Sequence, residues 1–80
     1  MKIHIKYFAS LREKAQKSAE EMEVANDESL FRIYENLSSR YGFPLSAKEI
    51  KFAVNNEYVA DEYQLRENDT VVFIPPVAGG

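Results

Sequence analysis

The chain has no cysteine and only one histidine, three glycines and three prolines among its 80 residues. Without thiols it can form no disulfide or persulfide and can offer no thiolate to a metal. His4 alone is too little for an imidazole site, and no Ser/His/Asp spacing points to a nucleophilic triad; no metal ligand set is expected. Excess basic charge is missing as well. The formal net charge is −3 with a pI near 5.1, and the ten lysines and arginines are scattered, so the footprint of a nucleic-acid binder is absent. No apolar run approaches the roughly 18 residues of a membrane span, and Met1-Lys2-Ile3-His4 does not read as a signal peptide. A cytoplasmic protein with no membrane contact is expected. A chain this short makes one domain and buries only about 60 to 65% of its unfolded surface, which leaves little room for an interior pocket. Chemistry is expected at the surface or in a partner.

What is present begins with an alternation. Ile3, Ile5 and Tyr7 share one parity and Lys2, His4 and Lys6 the other, the period of a half-buried strand, expected over 2–8. Phe8 breaks the pattern by falling on the polar side, as a second-face packing residue or a partner contact. Ser10 to Gln16 reads as a short helical or turn segment capped by Ser10. Ala19 to Val24 reads as the second strand of a hairpin, with Met22 and Val24 alternating against Glu21 and Glu23. Glu20, Glu21 and Glu23 read as a solvated acidic face, and His4 as a solvated strand residue.

Asn26-Asp27-Glu28-Ser29 supplies capping side chains and early acidic charge. Leu30, Ile33, Leu37 and Tyr41 then recur at helical spacing, with Arg32, Glu35, Asn36 and Ser39 facing away. This predicts the main helix over 28–41, closed by Gly42 in a left-handed C-cap and kept from resuming by Pro44. A strand over Ile50 to Val54, a turn at Asn55-Asn56-Glu57 into Tyr58-Val59, and a turn at Glu67-Asn68-Asp69 follow. Thr70 to Ile74 is a continuous apolar strand, with Val71 and Phe73 assigned to the core. The order predicts an α+β domain over 1–74, a mixed sheet packed on one main helix with its first and last strands parallel and adjacent.

Residues 75–80, Pro75-Pro76-Val77-Ala78-Gly79-Gly80, form an extended tail that holds two of the three glycines. Six extended residues reach on the order of 20 Å, enough to enter a neighbouring protein's active site. The prolines fix φ near about −65° and hold the preceding residue extended, which limits the directions of exit. Gly79 and Gly80 carry no Cβ to block a narrow channel. A carboxylate becomes an acyl donor only after activation, usually by adenylation to a mixed anhydride that a sulfur or amine nucleophile can open. The terminal carboxylate of Gly80 is the candidate reacting group.

The stretch Phe73-Ile74-Pro75-Pro76-Val77-Ala78-Gly79-Gly80, with Tyr7-Phe8-Ala9, Leu11-Arg12-Glu13 and Ala53-Val54-Asn55, resembles the small subunit of molybdopterin synthase. The similarity runs the length of the chain. It implies the ubiquitin-like β-grasp fold and the role of a sulfur carrier. In that family a ubiquitin-activating-like adenylyltransferase uses ATP and magnesium to convert the terminal glycine, here Gly80, to an acyl-adenylate. Sulfur from a cysteine-desulfurase route then leaves a thiocarboxylate. The tail enters the large subunit of molybdopterin synthase, which binds the cyclic pyranopterin precursor and is expected to hold the catalytic pocket. Two small and two large subunits assemble as a heterotetramer. ATP and magnesium are implied for the adenylating partner, and no cofactor for this chain. Phe8, Tyr58 and Ile74 match the family's hydrophobic contact surface, although the family more often has an aliphatic residue at the position of Tyr58. Pro75, Pro76, Val77 and Ala78 lead into the partner.

Three other readings compete. A sulfur carrier for another pathway, such as thiamine thiazole synthesis, would share the fold and the Gly-Gly end, but Pro-Pro-Val-Ala favours the molybdopterin family. A ubiquitin-like modifier would join Gly80 to lysines of target proteins. A β-grasp binding module without C-terminal chemistry would function without Gly79 and Gly80.

Overall fold

The computed structural model describes residues 1–76; the expectations for Val77, Ala78, Gly79 and Gly80 lie outside the described residues. The elements are β1 (Lys2–Lys6), α1 (Ala9–Ala15), β2 (Ala19–Glu23), α2 (Leu30–Tyr41), a 3-10 turn (Ala47–Glu49), β3 (Lys51–Val54), β4 (Glu57–Val59) and β5 (Thr70–Ile74). They form one sheet in the order β2-β1-β5-β3-β4. β1 and β5 run parallel, with Ile5 opposite Val71 and Lys6 opposite Val72, and the other pairs are antiparallel. Among the described residues no helix is long and apolar enough to cross a membrane.

Parity decides which side of the sheet each residue joins. Ile3, Ile5, Tyr7, Phe52, Val54, Val71 and Phe73 form one face and are buried against Leu30, Ile33 and Leu37 of α2. Ser29 begins that helix by accepting the Arg32 N–H at its Oγ, 3.1 Å away. Gly42 ends it at φ 72°, its N–H bonded to the Ser38 carbonyl at 2.8 Å. Tyr34 is also buried on this face, its ring 5.1 Å from that of Phe73 and its hydroxyl donating to the Leu45 carbonyl at 2.8 Å. Burial, reinforced by the Glu49 charge, pushes its pKa up to about 12.

Several boundaries differ from expectation. β1 ends at Lys6 rather than at residue 8, although Tyr7 still donates its N–H to Ser18 at 2.9 Å. Phe8 stays extended, at φ −132° and ψ 157°, and is itself the N-cap residue of α1. Ser10 is therefore inside the helix and not its cap; Leu11 and Arg12 donate to the Phe8 carbonyl instead. The chain turns at Ala9, whose φ of 51° puts a Cβ in the left-handed region at a cost of about 1 to 2 kcal/mol. Helix α2 begins at Leu30 rather than 28. Asn55 and Asn56, at φ 52° and 73°, form the hairpin turn by themselves, so Glu57 is already in β4.

The largest correction concerns Glu20. It shares parity with Met22 and turns inward, with a side chain only 15% exposed. Its Oε2 accepts the hydroxyls of Tyr7 at 2.5 Å and Tyr41 at 2.7 Å, and Lys17 Nζ lies 3.5 Å from Oε1. One carboxylate of β2 thus joins Tyr7, the residue after β1, to Tyr41 at the end of α2. Burial by itself would raise the Glu20 pKa, but the two phenol hydrogen bonds and the Lys17 charge outweigh it and hold the carboxyl below its ordinary range. Burial, and then the hydrogen bond and charge of Glu20, push the Tyr7 phenol far above its own.

The two shifts limit stability from opposite ends of the pH scale. The contribution of Glu20 is complete above the ordinary carboxylate range and is lost as pH falls through its depressed pKa. That of Tyr7 is complete below about pH 10, the ordinary phenol value, and declines above it. Glu20→Gln should lower unfolding free energy at neutral pH by about 2 kcal/mol and flatten the acid limb of stability against pH in urea titrations. An acid limb as steep as that of the parent chain would contradict this assignment.

Candidate functional site

The opposite face of the sheet carries no helix, and its residues stand in cross-strand rows. Lys6 lies beside Val72, Val72 beside Ala53, and Ala53 beside Tyr58. In the next row Ile74 lies beside Lys51, and Phe8, two residues beyond Lys6 and still extended, continues β1 on the same side. Ala53 is small where its neighbours are large. The result is a shallow depression of about 310 Å³ walled by Phe8, Tyr58, Val72 and Ile74 with Lys6 at one side. Phe8 is 49% exposed and Tyr58 71%, the two large apolar side chains that the described residues leave most open to water.

The three residues expected to contact a partner, Phe8, Tyr58 and Ile74, are therefore brought together in one place. Pro75 and Pro76 follow directly from Ile74 and line a second, larger groove of about 740 Å³ with Ile50, Phe52 and Val59. Tyr58 and Ile74 belong to both concavities, so the apolar surface is continuous from Phe8 to the root of the tail. Val77, Ala78, Gly79 and Gly80 lie outside the described residues. His4 points to the same side as Lys6, with Nδ1 3.5 Å from the Glu21 carboxylate. Arg12 is exposed and makes no ion pair among the described residues.

Asp69 fixes this face in a way the sequence reading passed over. It is only 6% exposed, and its carboxylate accepts Asn55 Nδ2 at 2.9 Å and the Arg66 N–H at 2.9 Å. Asn55 Oδ1 in turn accepts the Thr70 N–H at 3.0 Å. The β3–β4 turn is thereby bound to the first residue of β5, which sets Tyr58 in register with Val72. Two turns, each recognised separately from Asn and Asp content, are the halves of one clamp.

The described residues of this face offer an apolar surface for contact. No cluster of three or more His, Asp or Glu residues suited to a metal occurs among the described residues. The two groups with the largest displacement of pKa, Tyr7 and Tyr34, sit on the helix side. What distinguishes the uncovered side is an apolar patch beside Pro75 and Pro76, an arrangement suited to recognition.

The architecture defines a ubiquitin-like β-grasp domain. It superposes on a ubiquitin from Caldiarchaeum subterraneum with a TM-score of 0.68 at 19% identity, covering 100% of this chain and 98% of that one. It also matches one chain of the structure of a complex of subunits 1 and 2 of molybdopterin-converting factor from Helicobacter pylori, with a TM-score of 0.69 at 21% identity, covering 100% of this chain and 100% of that one. In sequence, the ThiS family model matches residues 5–80. The molybdopterin synthase sulfur carrier subunit of Escherichia coli is 34% identical over 82 residues, spanning 98% of this chain and 99% of the relative. The chain belongs to the ThiS family, in the group of the molybdopterin synthase sulfur carrier subunits.

If the patch is a surface and not a displaced part of the core, its residues contribute little to folding. Tyr58→Ala should change unfolding free energy by no more than about 0.5 kcal/mol, whereas Phe73→Ala, one residue before Ile74 but on the buried side, should cost about 3 to 5 kcal/mol. Urea titrations of the two variants provide the check; a loss of several kcal/mol in Tyr58→Ala would place that ring in the core.

Proposed function

We propose that this chain is the sulfur carrier of a molybdopterin synthase, with the terminal carboxylate of Gly80 as the group that is activated, loaded and discharged. The observation that carries the proposal is the match of the family model through residue 80, which takes in the Gly79-Gly80 end. The apolar face at the root of that end supports it. A ubiquitin-activating-like adenylyltransferase attaches AMP to Gly80 from ATP, releasing pyrophosphate, and sulfide-level sulfur then bonds to the Gly80 carbonyl carbon as its bond to AMP breaks, leaving a thiocarboxylate. The thiocarboxylate, ionised at neutral pH and softer than a carboxylate, attacks an activated carbon of the cyclic pyranopterin precursor while the large subunit supplies acid and base groups. Loss of the sulfur to the pterin returns Gly80 to a carboxylate after hydrolysis.

The absence of cysteine suits this role, because the sulfur travels on the chain end. The large subunit is the proposed occupant of the Phe8, Tyr58 and Ile74 face, in keeping with the two-subunit complex named for the Helicobacter pylori protein. Pro75 to Ala78 cross from that face to the partner's pocket, and Gly79 and Gly80 enter it. The compartment proposed is the cytoplasm.

Intact mass tests the proposal after incubation with ATP, magnesium, a sulfur source and the cognate adenylating enzyme. The chain should gain the mass difference of one oxygen replaced by sulfur, and a chain lacking Gly80 should gain nothing. No gain with an enzyme that demonstrably adenylates would contradict the carrier role, and covalent ladders on other proteins would point to a modifier instead.

A further inference from the structure

The chain is acidic overall, with 13 carboxylate side chains against ten basic ones, yet among the described residues no carboxylate lines the depression between Phe8, Tyr58 and Ile74. Its one charged wall is Lys6. Lys6 stands on β1 beside Val72, and Lys51 stands on β3 beside Ile74. Two ammonium groups therefore flank β5 on its two sides, level with the last two outward residues before Pro75. Both are exposed, and neither makes an ion pair among the described residues.

The other basic groups on and beside β1 stand next to carboxylates of this chain. Lys2 and His4 face Glu21, and the N-terminal amine faces Glu23. These acids lie on β2 at the far edge of the sheet, with β1 between them and the apolar centre. Glu49 and Asp61 share the tail-root groove with Lys51, but Glu49 is engaged by the Ser46 N–H and Asp61 by the Phe31 N–H. A docking protein that covers the patch would dehydrate two ammonium groups with no partner of their own. Covering them is unfavourable unless the incoming surface supplies the opposite charge, and opposite charge also steers the encounter.

We propose that the protein seated on this face carries carboxylates on both sides of an apolar contact, placed to meet Lys6 and Lys51. The apolar centre holds the complex, and the lysine pair sets its approach and its register about the emerging tail. This rests on the docking role proposed above for the large subunit and adds the chemistry of that partner's surface.

The test is the association kinetics of the full chain with its cognate large subunit across a range of ionic strength. Lys6→Glu/Lys51→Glu is compared with Arg32→Glu/Lys48→Glu, which makes the same charge change on α2 and on the 3-10 turn that packs against it. Thermal midpoints close to that of the parent confirm that both variants are folded. At low salt the Lys6/Lys51 variant should associate on the order of tenfold or more slowly, with a smaller change in dissociation, and the gap should close as salt rises. The Arg32/Lys48 variant should differ far less from the parent. Equal slowing in both variants would overturn the proposal, because net charge alone would then account for it. Unchanged rates in the Lys6/Lys51 variant, with the parent binding normally, would overturn it too while leaving the docking role intact. Failure of the parent chain to bind would overturn both.

Discussion

Placing the first and last strands side by side and parallel obliges the chain to make a long excursion between them. β2, α2, β3 and β4 are all part of that return; β2, α2 and β3 are laid against β1 and β5, and β4 adds to the outer side of β3. β2 adds to the free side of β1, β3 to the free side of β5, and α2 covers the face on which Ile3, Ile5, Val71 and Phe73 emerge. The same pairing brings Phe8, just past the end of β1, level with Ile74 at the end of β5. An exposed aromatic and the root of the tail are neighbours only because the two strands leave the sheet in the same direction.

Two polar anchors hold this arrangement from its two ends. On the helix side, Glu20 collects the hydroxyls of Tyr7 and Tyr41 amid a cluster in which the Tyr7, Tyr41 and Phe43 rings lie 5.9 to 6.0 Å apart. On the other side of the domain, Asp69 and Asn55 bind one turn to the start of another strand. Both anchors are partly or wholly withdrawn from water, and no buried side-chain nitrogen or oxygen is left without a partner among the described residues. Buried hydrogen-bond networks that are fully satisfied make a fold rigid. A rigid domain suits a chain whose proposed chemistry lies outside its own core, since the tail's direction of exit is only as well fixed as Ile74.

Much of this can be read from residue order alone. The parity of Ile3, Ile5 and Tyr7, the stripe of Leu30, Ile33 and Leu37, and the apolar run at Thr70 to Ile74 each point to the element observed. Phe8 is an informative exception, because its wrong parity for the core is the correct parity for the uncovered face. What escaped depended on pairing across long sequence separations. Glu20 looked solvated as one of three acids, although its shared parity with Met22 put it on the inner face; only the approach of Tyr41 from α2 makes that position favourable. Tyr34 fell between the positions of the helix stripe because the buried face of α2 is wider than a single seam. Ser10 was an attractive cap by residue type, but the extended Phe8 and the left-handed Ala9 start the helix earlier. The apolar face was legible as separate residues, whereas its assembly required the strand order.

In the proposed function, recognition belongs to the folded face and reaction to the chain end, and these can be separated by measuring affinity for the cognate large subunit. A chain lacking Gly79 and Gly80 should bind within about tenfold of the intact protein, and Ile74→Asp with both glycines present should lose far more, as hot-spot residues do. The reverse result, with binding abolished by removal of the two glycines and undisturbed by Ile74→Asp, would contradict the division of labour between face and tail.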